Sequence, residues 1–177
     1  ALTSLPHGVV SIAERHGGGD FSPEQYAALV QKINAELCPF ETANGINRRI
    51  REGGVQMIGT SGTVTTLSGV HLGLEKYDRQ RIDGLWLSFA DARAAAERLR
   101  AMTLEQRAAH PCVGRGRADL VVAGCAILEA IRRTWPIERL RVADRGVREG
   151  LLLSLMSRDR PRPAAAAASP PPNGPAP

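Results

Sequence analysis

A single α/β domain is predicted, on three observations. Short apolar, strand-like runs alternate with longer segments of helical periodicity. Gly- and Pro-containing turn signals separate them. With 177 residues, 43% of them hydrophobic, the chain can bury one sizeable core but hardly two.

The elements follow in order. Ser4 to Arg15 (SLPHGVVSIAER) reads as a strand centred on Gly8-Val9-Val10-Ser11-Ile12, broken by Gly17-Gly18-Gly19-Asp20. Ser22-Pro23-Glu24-Gln25 supplies an N-cap, a proline at the first helical position and first-turn acidity. Tyr26, Leu29, Val30, Ile33 and Leu37 then recur at helical spacing, and the helix is expected to end near Cys38-Pro39. Ile46 to Glu52 suggests a short helix. Val55 to Ile58 is a β-rich run bounded by glycines, followed by a helix from Gly62 to Leu72. Ile82 to Leu87 is a weaker strand, and Ser88 caps a long helix running to about Met102. Thr103 opens a short helix that His110-Pro111 ends, and Leu120 to Arg133 is strongly helical. Leu140 to Ala143 is a short strand turned by Asp144-Arg145-Gly146 into a last helix from Val147 to about Met156. Residues 1–157 therefore form the domain, and 158–177, rich in Pro and Ala, read as a disordered tail.

Chemistry concentrates at Gly59-Thr60-Ser61-Gly62-Thr63, between the Val55 strand and the Gly62 helix. Glycines let the backbone turn and a ligand approach, hydroxyls flank free amides, and a helix N-terminus presents unpaired N–H donors at the positive end of its dipole. Phosphate suits that geometry. The bland alternative is a connector with an N-cap. No lysine lies in the loop and GxxxxGK[ST] spacing is absent, so this is not a nucleotide P-loop.

The formal charge of +5 comes from 23 basic and 18 acidic residues, with lysine only at positions 32 and 76. Arginine's planar fork suits phosphate, but 4% aromatic content and no basic helix with interleaved aromatics argue against sequence-specific nucleic-acid binding. Three cysteines without a CxxC pair and four scattered histidines argue for a reducing compartment and against zinc. No apolar run approaches the ~18 residues that span a bilayer, and nothing resembles a signal peptide, so a cytoplasmic protein with no membrane partner is expected.

Four segments in order, SLPHGVVSIAER, IGTSGT at Ile58 to Thr63, RADLVVAGCAIL at Arg117 to Leu128 and VADRGVREGLL at Val142 to Leu152, resemble the Ppx/GppA phosphatase family of exopolyphosphatases and guanosine pentaphosphate phosphohydrolases. The resemblance implies a ribonuclease-H-like lobe of the actin, sugar-kinase and heat-shock-chaperone superfamily. In that family two lobes close over polyphosphate or guanosine pentaphosphate, and magnesium assists attack of water on the terminal phosphoanhydride. Gly59 to Thr63 resembles the second lobe's phosphate loop. The family's DIGGGSTE-like first phosphate loop does not precede SLPHGVV here, nor does the first lobe that supplies the water-positioning glutamate. The implied protein is the C-terminal part of a second lobe, truncated at its N-terminal strands and inactive alone, with the missing first lobe as a partner. In the superfamily lobe two strands that precede it pair with the strand around Val9 to Ile12, so the resemblance implies an open edge there that invites pairing, and a homo-oligomer is a further possibility. A non-catalytic polyphosphate or nucleotide sensor and a kinase of the same superfamily are the alternatives.

No catalytic residue and no magnesium ligand is assignable. Arg117, Arg145 and Arg148 are candidate ligand contacts, Arg117 at a helix start and the others at a strand-to-helix turn. Against them stand a solvated Arg117 with Asp119 favouring the helix dipole, and an Asp144 ion pair holding the last helix. Glu149 reads as structural, His110 as a turn residue without a catalytic partner, and Cys125 as packing.

Overall fold

The computed structural model describes residues 1–159, so the tail expected from Arg158 lies, beyond Asp159, outside the described residues. The chain divides into two units, Ala1–Gly146 and a second beginning at Val147. In the first unit the order is α1 (Val9–Arg15), α2 (Pro23–Asn44), α3 (Ile46–Arg51), β1 (Met57–Gly59), α4 (Gly62–His71), α5 (Arg79–Ile82), β2 (Trp86–Ser88), α6 (Phe89–Ala101), α7 (Leu104–Ala109), a 3₁₀ turn (Arg115–Arg117), α8 (Val121–Thr134) and β3 (Arg139–Val142). In the second unit the described residues form one helix, α9 (Val147–Asp159).

Three strands make a mixed sheet in the order β1-β3-β2. β1 runs parallel to β3, with Gly59 opposite Val142, and β2 runs antiparallel to β3, with Leu87 opposite Leu140. Leu87, Leu140 and Val142 are fully buried beneath the helices. Helix α2 packs on α8, and α4 on α6. Their apolar stripes, Val30 and Ile33 on α2, Leu67 and Val70 on α4, Ala95 and Leu99 on α6, and Ala123 and Ala126 on α8, form one core.

The first segment differs from the strand expected at Gly8 to Ile12: it is helix α1. Gly8 is extended at φ −87°, its N–H donates to Ser11 Oγ (3.2 Å), and the Ser11 hydroxyl donates back to the Gly8 carbonyl (3.0 Å), which starts a helix. The burial pattern is helical too, since Ile12 and Ala13 are buried together while Val10 is 51% exposed. With no strand at Val9 to Ile12, the open edge placed there moves. It belongs to β1, which among the described residues pairs only with β3. The Gly59 carbonyl accepts from Ala143 N–H (2.8 Å), so strand alternation turns the N–H and C=O of Ile58 to the open side. Beside this edge lies an apolar groove of about 570 Å³ lined by Phe40, Ile46, Ile50, Ile127, Ile131 and Trp135.

Helix α2 does not stop at Cys38-Pro39 but carries Pro39 inside it and ends at Gly45, which sits at φ +60°. Tertiary contacts hold the extra turn. The Trp135 Nε1–H donates to Glu41 Oε2 (2.6 Å), Asn47 N–H donates to Glu41 Oε1 (2.9 Å), and Phe40 meets Trp135 edge-on at 6.2 Å. The weak strand expected at Ile82 to Leu87 divides instead into α5, capped by Asp78, and β2 at Trp86–Ser88.

Gly17 to Asp20 forms a turn pressed against the start of α8. A Cβ on Gly19 would lie 2.4 Å from Asp119 Cα. Arg107, 1% exposed, locks the same junction by donating from Nη1 to the Met102 carbonyl (3.1 Å), from Nη2 to the Gly19 carbonyl (3.4 Å), and to Asp20.

Candidate phosphate site

Parallel pairing of β1 and β3 brings the segments after Gly59 and Val142 out of the same end of the sheet. In α/β proteins that carboxyl end is where ligands bind. Residues Thr60 and Ser61 leave β1, and Ser61 caps α4, its Oγ accepting from Val64 N–H at 3.4 Å. Thr60, Ser61 and Gly62 are exposed, and the first N–H groups of this ten-residue helix have no partner within it.

Within the loop the five residues divide in role. A Cβ on Gly59 would sit 2.9 Å from Val64 Cγ2 and 3.2 Å from Leu140 Cδ1, so Gly59 is small to let β1 pack against α4 and β3. Thr63 Oγ1 lies 2.2 Å from where a Gly124 Cβ would be, which seats Thr63 against α8. Gly62 is different. The neighbour of its missing side chain is the Arg117 guanidinium, whose Cζ lies 3.5 Å from the Cβ position.

Arg117 reaches over Gly62 from the 3₁₀ turn and donates from Nη1 to Thr66 Oγ1 at 3.4 Å. It is exposed. A guanidinium above the free amides of a helix N-terminus is a complementary pair of donors for an oxyanion. Asp119, two residues on, is exposed and packs its backbone against Gly19.

Asp144 follows β3 at the same end of the sheet. Its carboxylate accepts from Tyr77 Oη (2.8 Å) and from Arg79, and its own N–H donates to Asp83 Oδ1 (3.0 Å). Burial alone would raise its pKa, but hydrogen bonds from Arg79 and Tyr77 and the charges of Arg79 and Arg117 outweigh this and hold it below the usual carboxylate range. The Tyr77 phenol is pushed up, by burial first and then by Asp144. Tyr77, Arg79 and Asp83 were not among the sequence candidates. Their link to Asp144 spans more than 60 residues and leaves no local pattern.

Because the folded Asp144 pKa is depressed, its ion pair contributes stability that is complete above about pH 4 and is lost as pH falls through the folded value. Urea midpoints measured from pH 7 to 3 should therefore fall less steeply in Asp144→Asn than in the native chain. An unchanged slope would mean that Asp144 carries no such linkage.

Arg145 is exposed at the same turn, and Arg148 lies in the first turn of α9, in the second unit. His110 is committed: its Nδ1 accepts from Cys112 N–H at 3.1 Å. Cys125 is buried on α8, and that burial pushes its thiol up to about 12. Among the described residues no three His, Cys, Asp or Glu side chains converge to hold a metal, and Asp144 is taken by Tyr77 and Arg79.

The model of the Ppx/GppA phosphatase family matches residues 1–159. The chain belongs to this family. Exopolyphosphatase 2 of Mycobacterium tuberculosis is 33% identical over 102 residues, which cover 55% of this chain and 32% of that protein. The Ppx/GppA phosphatase of Aquifex aeolicus in its type II form superposes with a TM-score of 0.72 at 24% identity, over 88% of this chain and 49% of that one. An exopolyphosphatase from Cytophaga hutchinsonii superposes at 0.73 with 23% identity, over 89% and 50%. These neighbours show the fold, an actin-like α/β lobe with a small mixed sheet. The chain spans about half the length of the solved Ppx/GppA structures and about a third of the curated relative. No helix among the described residues is long and apolar enough to cross a membrane.

Proposed function

We propose that this chain is the phosphate-gripping lobe of an exopolyphosphatase-like enzyme that hydrolyses the terminal phosphoanhydride of polyphosphate or guanosine pentaphosphate. The observation that carries the reading is the Arg117 guanidinium over Gly62, beside the exposed residues Thr60 to Gly62 at the start of α4. Those donors bind and orient phosphoryl oxygens. Where an anhydride bond breaks, they also stabilise charge that builds on the departing phosphate.

Grip is not turnover. Attack needs a positioned water and neutralised phosphate charge, and Asp144 and His110 are both engaged in internal contacts. Magnesium and the water-positioning carboxylate are assigned to the other lobe. That lobe, and the strands that complete this sheet, are proposed to dock along the open edge of β1 and the apolar groove beside it, because the solved relatives carry about as much chain again.

Phosphate release from polyphosphate in magnesium buffer tests the division of labour. This chain alone should release none above the buffer control, and a longer form extended to the length of the solved relatives should turn over. Magnesium-dependent release by the short chain, abolished by Arg117→Ala, would overturn it. A longer form that binds polyphosphate but never cleaves it would favour the sensor reading.

A further inference from the structure

A second cleft, of about 320 Å³, lies between α2, α6 and α8 and includes none of the residues Gly59 to Thr63. Leu67, Phe89, Ala92 and Ala96 give it an apolar wall. Tyr26, 9% exposed, lines it with its ring beneath the Arg100 guanidinium, whose Cζ is 3.8 Å from the ring centroid.

The charges around this cleft are unequal. Arg93 pairs with Glu97 (3.7 Å) and Arg133 with Glu129 (3.0 Å), each within one helix. Among the described residues Arg100 has no carboxylate partner, only the face of Tyr26, and the Tyr26 hydroxyl has no hydrogen-bond partner. The Tyr26 hydroxyl and the half-buried Arg100 guanidinium thus present two donors to the cleft that no acceptor of the protein occupies, and an entering oxyanion can take both. Burial raises the phenol pKa far above neutrality, so the hydroxyl remains a donor at physiological pH.

We propose that this cleft binds a small apolar monocarboxylate. Its carboxylate accepts from the Arg100 guanidinium and the Tyr26 hydroxyl, and its hydrocarbon or aromatic body lies against Leu67, Phe89 and Ala92. A single negative charge fits better than a phosphate dianion, because one cation is unpaired and the Glu97 and Glu129 carboxylates that also line the cleft repel further charge. The site is independent of the proposed polyphosphate grip.

Titration of the full chain with benzoate, followed by amide NMR, tests it, with benzamide as the uncharged isostere and inorganic phosphate as the dianion. Benzoate should shift the amides of Tyr26, Ala92, Ala96 and Arg100 saturably, and benzamide and phosphate should do so at least roughly tenfold more weakly. Arg100→Gln should remove saturation. Tyr26→Phe deletes only the hydroxyl and should weaken benzoate roughly fivefold while the thermal midpoint holds, so it decides the matter even if Arg100→Gln fails to fold. Equal shifts from benzoate and benzamide, no saturation, or an affinity indifferent to Tyr26→Phe would overturn the proposal.

Discussion

Arg107→Ala should cost about 3–5 kcal/mol of folding free energy, the largest effect expected of any single side chain outside the apolar core. The guanidinium is 1% exposed and donates to the carbonyls of Leu99 (3.4 Å), Met102 (3.1 Å) and Gly19 (3.4 Å) as well as to Asp20. Removing it leaves carbonyls at the end of α6 and in the Gly17–Asp20 turn without their charged donor and opens a void. Asp20 itself is 74% exposed and returns to water at little cost, so the loss lies in the carbonyls and the packing. Urea denaturation beside Arg93→Ala, an exposed control expected to change stability by under about 0.5 kcal/mol, measures it. Equal midpoints would mean that the junction between α7 and the glycine turn is not held by Arg107.

Gly124→Ala should destabilise the protein although it adds only one methyl inside a helix. Helix propensity alone would favour alanine inside α8 by about 1 kcal/mol. The added Cβ, however, would lie 2.2 Å from Thr63 Oγ1, 2.9 Å from its Cγ2 and 3.1 Å from its Cβ, so Thr63 must turn away from its seat on α8 and the start of α4 must shift with it. A net loss of about 1–3 kcal/mol is expected, together with weaker phosphate binding because the displaced residues carry the loop amides. Thr63→Ala removes the obstructing atoms, so the double variant should recover most of the stability. A Gly124→Ala protein more stable than the native chain would show that the α4–α8 contact is loose.

Much of this was legible in the chain. The run from Val55 to Leu67 announces strand, loop and helix because each piece obeys a local rule: glycine boundaries, a Ser61 cap and helical periodicity beyond it. Ser22, Ser88 and Thr103 announce their helices in the same way. The misreadings fall where tertiary contacts override local signals. Val9-Val10 is β-branched and reads as strand, yet burial of Ile12 with Ala13 favours the helical spacing. Pro39 reads as a stop, yet Trp135, almost a hundred residues away, holds the turn beyond it. At the site, Arg117 was a candidate because it stands at a helix start. That it covers Gly62, and that Thr63 serves α8 while Asp144 serves Tyr77 and Arg79, are long-range facts with no local signature.

The central claim is that Thr60 to Gly62 and Arg117 together grip phosphate. Titration of the ¹⁵N-labelled chain with tripolyphosphate at low salt tests it most directly, read at the backbone amides and at arginine Nε. The account predicts saturable shifts at Thr60, Ser61, Gly62 and the Arg117 Nε, lost in a folded Arg117→Ala variant. Silence at those amides while residues elsewhere move, or shifts unaffected by Arg117→Ala, would contradict it.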